Sequence, residues 1–264
     1  MAIDRGVIVD VGDIAVVLNT TDSSLVKLLE RRFLRFLNPS ADPAFQFDIT
    51  IVPEGRFADM DLTVQSKGGR WIMQRGDFYA EWSVSERRGH IWQTLNPYAI
   101  DSILRIVHTL VLSTQGGFLL HASSAVRGGR AFLFTGPSGS GKSTIVGLAP
   151  DDVTVLTDEI SYLRRRADGY VAYGTPFAGE LGDVGAPVSA PVGALFRLGQ
   201  AADNRHDRLD VGQAVQTLMR NILFFAAEPQ MVEPVLDTAC DFASRVPAYA
   251  LFFAPDRRVW TTIG

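Results

Sequence analysis

The sequence predicts an α/β chain, α+β overall, with a small strand-rich subdomain over 1–98 followed by an α/β unit over 99–264. Three observations predict it. Short apolar runs separated by Gly-containing turns fill the first third, as strands and tight turns require. Two segments, 25–37 and 99–114, instead repeat apolar residues at helical spacing. After residue 117 an apolar strand runs straight into the glycine-rich stretch GPSGSGKST (136–144) and then a helix, the mark of a strand–loop–helix unit.

In chain order, Gly6–Val11 and Ile14–Leu18 flank Gly12-Asp13 and read as a hairpin. Thr20–Ser24 offers helix-cap residues. LVKLLERRFLRFL (25–37) then places Leu25, Leu28, Leu29, Phe33, Phe36 and Leu37 on one stripe, with Arg31, Arg32 and Arg35 expected on the solvated face. Phe47–Val52, Trp71–Arg75, Phe78–Ser83 and His90–Thr94 read as further strands. Ala99–Thr114 is a helix ended by Gln115-Gly116-Gly117. Phe118–Val126, the RGGR turn at 127–130 and Ala131–Thr135 form a second hairpin, and the glycine-rich loop and a helix through Leu148 follow. Val153–Leu156 is a buried strand ending in Thr157-Asp158-Glu159. Tyr170–Tyr173 and Leu195–Leu198 are strand-like, and Val211–Phe225 reads as a helix.

Composition excludes several classes. The 264 residues are 47% hydrophobic and 20% charged, ordinary for a chain with a sizeable core. A net charge of −4 argues against a nucleic-acid partner. The longest apolar run, Ile103–Leu112, is interrupted by Arg105 and His108, so no membrane span is expected. Asp4, Asp10 and Asp13 break the N-terminal segment, which lacks a signal-peptide layout. Cys240 is the single cysteine, which rules out an intrachain disulfide and fits a reducing cytoplasm. Homo-oligomer formation is left open.

Gly136, Gly141, Lys142 and Ser143 satisfy G-x-x-x-x-G-K-[ST], a pattern expected by chance about once in a hundred chains of this length. The residue types follow from the task of holding a polyphosphate. Glycines let the backbone of Gly136, Pro137, Ser138, Gly139, Ser140 and Gly141 wrap an anion with its N–H groups turned inward. The helix N-terminus that follows favours negative charge. Lys142 is placed for the β- and γ-phosphates, the Ser143 hydroxyl for Mg²⁺, and Thr144 continues the loop. ATP and Mg²⁺ are the expected ligands. Asp158 lies only sixteen residues after Lys142, room for one helix and one strand. That spacing sets its carboxylate near the γ-phosphate, where it can orient or deprotonate an acceptor hydroxyl or hold the metal. No LSGGQ-like or NKxD-like segment is present.

LLHASSAV, the hairpin, FLFTGPSGSGKST, a short helix and VLTDE together resemble the catalytic core of the HPr kinase/phosphorylase family. They are also similar to the ATP-dependent phosphoenolpyruvate carboxykinases, which share that P-loop fold. The resemblance implies a kinase with His121 facing the phosphates or metal, Asp158 as general base or metal-organising carboxylate, and Glu159 in a second acidic slot. GTPFAGE (174–180) looks like the family segment that supplies a further carboxylate, which implies Glu180 in a catalytic and metal-binding role. Arg220 is the arginine placed to reach the phosphates, with Arg197 and Arg205 as weaker choices. The C-terminal VPAYALFFAPD resembles small HPr-kinase-like proteins of peptide-modification clusters. The implied acceptor is therefore a serine hydroxyl of a peptide or small protein, such as a modified ribosomal peptide precursor. The first ~100 residues do not resemble the regulatory domain of HPr kinase, and the glycine-rich signature of its phosphorolytic activity is absent. A small-molecule kinase and a non-catalytic ATP-binding regulator are the competing classes.

Overall fold

The computed structural model describes residues 5–54, 61–177, 179, 185–226 and 228–263. The fold is α+β, with two sheets. By contacts the chain divides into one unit of residues 1–108 with 225–228 and another of 109–224 with 229–264. No helix among the described residues is long and apolar enough to cross a membrane.

The first unit is built on a seven-stranded sheet. β1 (Arg5–Val11) and β2 (Ile14–Thr20) form the expected hairpin, and its turn residues Gly12 and Asp13 both have positive φ (62° and 59°). Two left-handed turn residues match the right-handed twist of the strands they join. α1 (Ser23–Arg32) is capped by Asp22, whose carboxylate accepts from the Ser24 and Leu25 amides at 2.8 and 2.9 Å. The helix is shorter than its stripe predicts. It stops at Arg32, and Leu34–Phe36 tightens into a 3₁₀ turn before Leu37 bridges to Val9. Arg32, expected on the solvated face, is half-buried and ion-paired with the buried Asp101.

β3 (Phe45–Ile51), β4 (Thr63–Lys67), β5 (Arg70–Arg75), β6 (Phe78–Ser83) and β7 (Arg88–Gln93) complete the sheet in the order β1-β2-β3-β7-β6-β5-β4. β3 runs parallel to both β2 and β7. Alternation sends Phe45, Phe47, Phe78, Ala80 and Trp82 inward, and Trp82 meets Phe45 edge-on at 5.0 Å. α2 (Pro97–Thr114) begins at a proline and is buried along most of its length; the contact division falls within it.

The second unit contains an eight-stranded sheet: β8 (Gly117–Arg127), β9 (Arg130–Thr135), β10 (Thr154–Thr157), β11 (Ile160–Arg166), β12 (Gly169–Tyr173), β13 (Ser189–Gln200), β14 (Arg205–Arg208) and β15 (Ala248–Phe253). Two long strands change partners along their length. β8 pairs with β11 through residues 117–121, then with β9 through 122–127 and with β10 at its far end. β13 pairs first with β12, then in parallel with β9 and β15. The pairings close a ring β8–β11–β12–β13–β9. β9 is apolar on both faces because both are covered. Leu133 enters the core that also holds Leu218 of α4 (Val211–Met219) and Phe242 of α5 (Pro229–Arg245). Phe134 enters the core shared by Ile145 of α3 (Lys142–Gly147) and Trp260 of α6 (Val259–Ile263).

The helix expected over 211–225 ends at Met219. The chain then turns so that Ile222 bridges to Leu120 and the Leu223 amide bonds the Leu119 carbonyl.

Candidate active site

The glycine-rich loop leaves the buried end of β9 and enters α3. A turn closed by the Ser140 amide on the Pro137 carbonyl (3.1 Å) shapes it, with Gly139 and Gly141 at φ 76° and 100°. Gly141 is also required by space, because a Cβ there would lie 2.7 Å from Cζ of Phe253. The Lys142 ammonium folds back over the loop and donates to the carbonyls of Gly136 (3.1 Å) and Pro137 (3.3 Å). The start of α3 is tied down twice: Ser123 on β8 donates its hydroxyl to the Lys142 carbonyl (2.9 Å), and the Trp260 indole donates to the Ile145 carbonyl (3.0 Å).

His121 sits where β8 changes partners. Its amide donates to the Asn221 carbonyl (2.7 Å), and its carbonyl accepts the Thr135 hydroxyl (2.9 Å). Beside it, the Ala122 amide donates to the Glu159 carbonyl at 3.0 Å. The chain after α4 and the end of β9 therefore fix the His121 backbone on its two sides. Asp158 and Glu159 occupy the turn from β10 to β11, where the Thr157 hydroxyl accepts the Glu159 and Ile160 amides at 3.2 Å each. Asp158 is buried, and its Oδ1 accepts the Gly179 amide at 2.9 Å.

These pieces surround one cavity of about 510 Å³. His121, Lys142, Ser143, Asp158 and Glu159 all line it, with Ser138, Gly139, Gly141 and Thr144 of the loop. Five side chains singled out in the sequence thus share one space. Two further residues lie in its wall. Gly179 holds Asp158. Gln200, at the end of β13, donates its amide to the Gly139 carbonyl at 2.9 Å. Gly179 lies inside the GTPFAGE segment, but that segment pointed to Glu180, which falls outside the described residues. Gln200 reaches the loop only because β13 runs parallel to β9, a pairing that no local pattern announces.

The arginines are elsewhere. Arg220 is the exposed C-cap of α4 and does not line the cavity, although the adjacent Asn221 carbonyl holds the His121 amide. Arg197 is half-buried beside Thr135 in the β9–β13 register, and the Arg205 guanidinium lies 4.5 Å above the Phe252 ring.

The cavity brings together a cationic and an imidazole side chain, Lys142 and His121, with two carboxylates, Asp158 and Glu159. Among the described residues no three His, Cys, Asp or Glu side chains gather to cage a metal. Three hydroxyl-bearing residues, Ser138, Ser143 and Thr144, and two carboxylates line the same space. This hard-oxygen donor set fits Mg²⁺, which is ordinarily bound by one or two carboxylates with phosphate oxygens and waters completing its shell.

Residues 93–264 match the family described as "SynChlorMet cassette protein ScmC", and the chain belongs to that family. The match spans α2 and the whole loop–carboxylate site. No curated protein matches the chain.

Proposed function

We propose that the chain is an ATP-dependent phosphotransferase with a P-loop, HPr-kinase-like catalytic unit, acting on a serine hydroxyl of a peptide or small protein. The observation that carries this reading is the single cavity in which Asp158, held by the Gly179 amide, faces the same space as Lys142 and the glycine-rich loop. A loop with a lysine binds polyphosphate; a buried, oriented carboxylate beside it is what transfer to a hydroxyl additionally needs. Membership in a family described as cassette proteins supports an acceptor encoded alongside this chain.

In this reading the loop amides and Lys142 hold the β- and γ-phosphates. α3 is only six residues long, so the amides and the ammonium carry that work. On binding, Lys142 exchanges its two loop carbonyls for phosphate oxygens. Ser143 would hold Mg²⁺ together with phosphate oxygens and waters, and the metal would supply charge neutralisation across the phosphates. Asp158 accepts the proton of the acceptor hydroxyl as its oxygen bonds to the γ-phosphorus. The bond from that phosphorus to the bridging oxygen breaks, and ADP leaves. His121 contacts the phosphate side of the cavity, and Glu159 provides the second carboxylate.

Purified protein with Mg²⁺-ATP and peptides encoded beside its gene is expected to give a product heavier by one phosphoryl group, and Lys142→Ala abolishes it. ADP formation that no such peptide stimulates would overturn the transferase assignment.

A further inference from the structure

A second cavity of about 390 Å³ adjoins the first and shares Gly141, Thr144 and Gln200 with it. Its remaining walls are Ser140, Ala201, Phe253 and Pro255, with no charged side chain among them. The walls are held in place. The Ala201 amide donates to the Phe253 carbonyl (3.1 Å), the Ala254 amide to Asn204 Oδ1 (2.9 Å), and the Phe253 ring is wedged beneath Gly141. The two spaces adjoin along the loop and differ in chemistry. His121, Asp158, Glu159 and Gly179 line only the first, and the apolar residues line only the second.

We propose that this second cavity holds the nucleoside of a bound nucleoside triphosphate, the base resting on Phe253, Ala201 and Pro255. This rests on the phosphate-loop reading above and gives the site a direction. A triphosphate threads from the loop past Thr144 into the second cavity, so its γ-phosphate points at Asp158 and leaves the carboxylate end for the acceptor. An uncharged, largely apolar, preformed slot beside a polyphosphate site suits a flat heterocycle and disfavours a charged acceptor.

Calorimetry with Mg²⁺-ATP and with inorganic tripolyphosphate, which has no base, tests it. Wild type is expected to bind ATP at least about tenfold tighter than tripolyphosphate, the equivalent of ~1.4 kcal/mol. Ala201→Trp, which fills the slot from a half-buried position, removes that advantage and leaves tripolyphosphate binding within about twofold of wild type; Ala201→Leu does so in part. Retained tripolyphosphate binding shows that the variant is folded. Equal weakening of both ligands, or an unchanged ATP affinity in both variants, overturns the base site while leaving the phosphate loop standing. Failure of wild type to bind either ligand overturns the phosphate-loop reading and the base site with it.

Discussion

Gly179→Ala isolates the positioning of Asp158 from nucleotide binding. The Gly179 amide bonds Asp158 Oδ1 at 2.9 Å. A Cβ on Gly179 would lie 2.8 Å from Asp158 Oδ2, 3.0 Å from its Cγ and 2.7 Å from the Glu159 Cβ. All three separations are too short for a carbon, so the carboxylate or the segment bearing the new methyl must shift by several tenths of an ångström, and the amide bond stretches with it. A displacement approaching 1 Å of a reacting group costs up to about a hundredfold in rate, so kcat is expected to fall about ten- to a hundredfold. Neither Lys142 nor the loop amides touch Gly179 in the hydrogen bonds that hold the loop, so the Kd for Mg²⁺-ATP should stay within about twofold. Initial rates of phosphoryl transfer and calorimetric ATP binding, measured side by side, provide the readout. Unchanged kcat, or a loss of ATP affinity as large as the loss of rate, would refute the assignment of Gly179 as a positioning residue.

Three other outcomes are expected. Lys142→Ala should weaken Mg²⁺-ATP binding about ten- to a hundredfold by calorimetry, the loss of a charge-assisted hydrogen-bonding group. Trp260→Ala empties a site 1% exposed and removes the indole bond to the Ile145 carbonyl, so it should cost about 3–5 kcal/mol in denaturant unfolding of the second unit. Burial pushes the Asp77 carboxyl up, but hydrogen bonds from Arg75 (2.7 and 2.9 Å) and Asn96 (2.9 Å) outweigh it and hold its pKa below the ordinary 3.8. The Arg75–Asp77 pair therefore adds stability that is fully present above pH 3.8 and is lost as pH falls through the lower folded-state value. Arg75→Gln should cost about 1 kcal/mol near neutral pH, and the gap in urea midpoint should close in acid.

Much of the site was legible because it is local. The strand–loop–helix of 130–147, the hairpin that carries His121, and the acidic pair at the end of β10 are each announced by adjacent residues, and the structure brings them around one cavity. The Gly12-Asp13 turn was legible for the same reason. What escaped depends on distant partners. β4 is a polar, exposed edge (TVQSK) with no alternation to read. α5 carries Pro234 inside it, a residue that ordinarily argues against a helix. The helix predicted over 211–225 stops at Met219 because its end is set by the bridge from Ile222 to Leu120, a contact across a hundred residues that propensity does not record. Arg32 looked solvated because its partner, Asp101, lies on another helix. Gln200 and the apolar slot beside it arise from parallel pairing of β9, β13 and β15.

The central claim is that Asp158 completes a phosphotransfer site around the loop. Asp158→Asn keeps the size of the buried side chain and an oxygen to accept the Gly179 amide, but removes the base. Transfer rate measured alongside Mg²⁺-ATP affinity in this variant is the most direct test. The account predicts a fall in kcat of about a hundredfold or more with nucleotide binding largely kept. Full transfer activity with tight ATP binding in Asp158→Asn would contradict it.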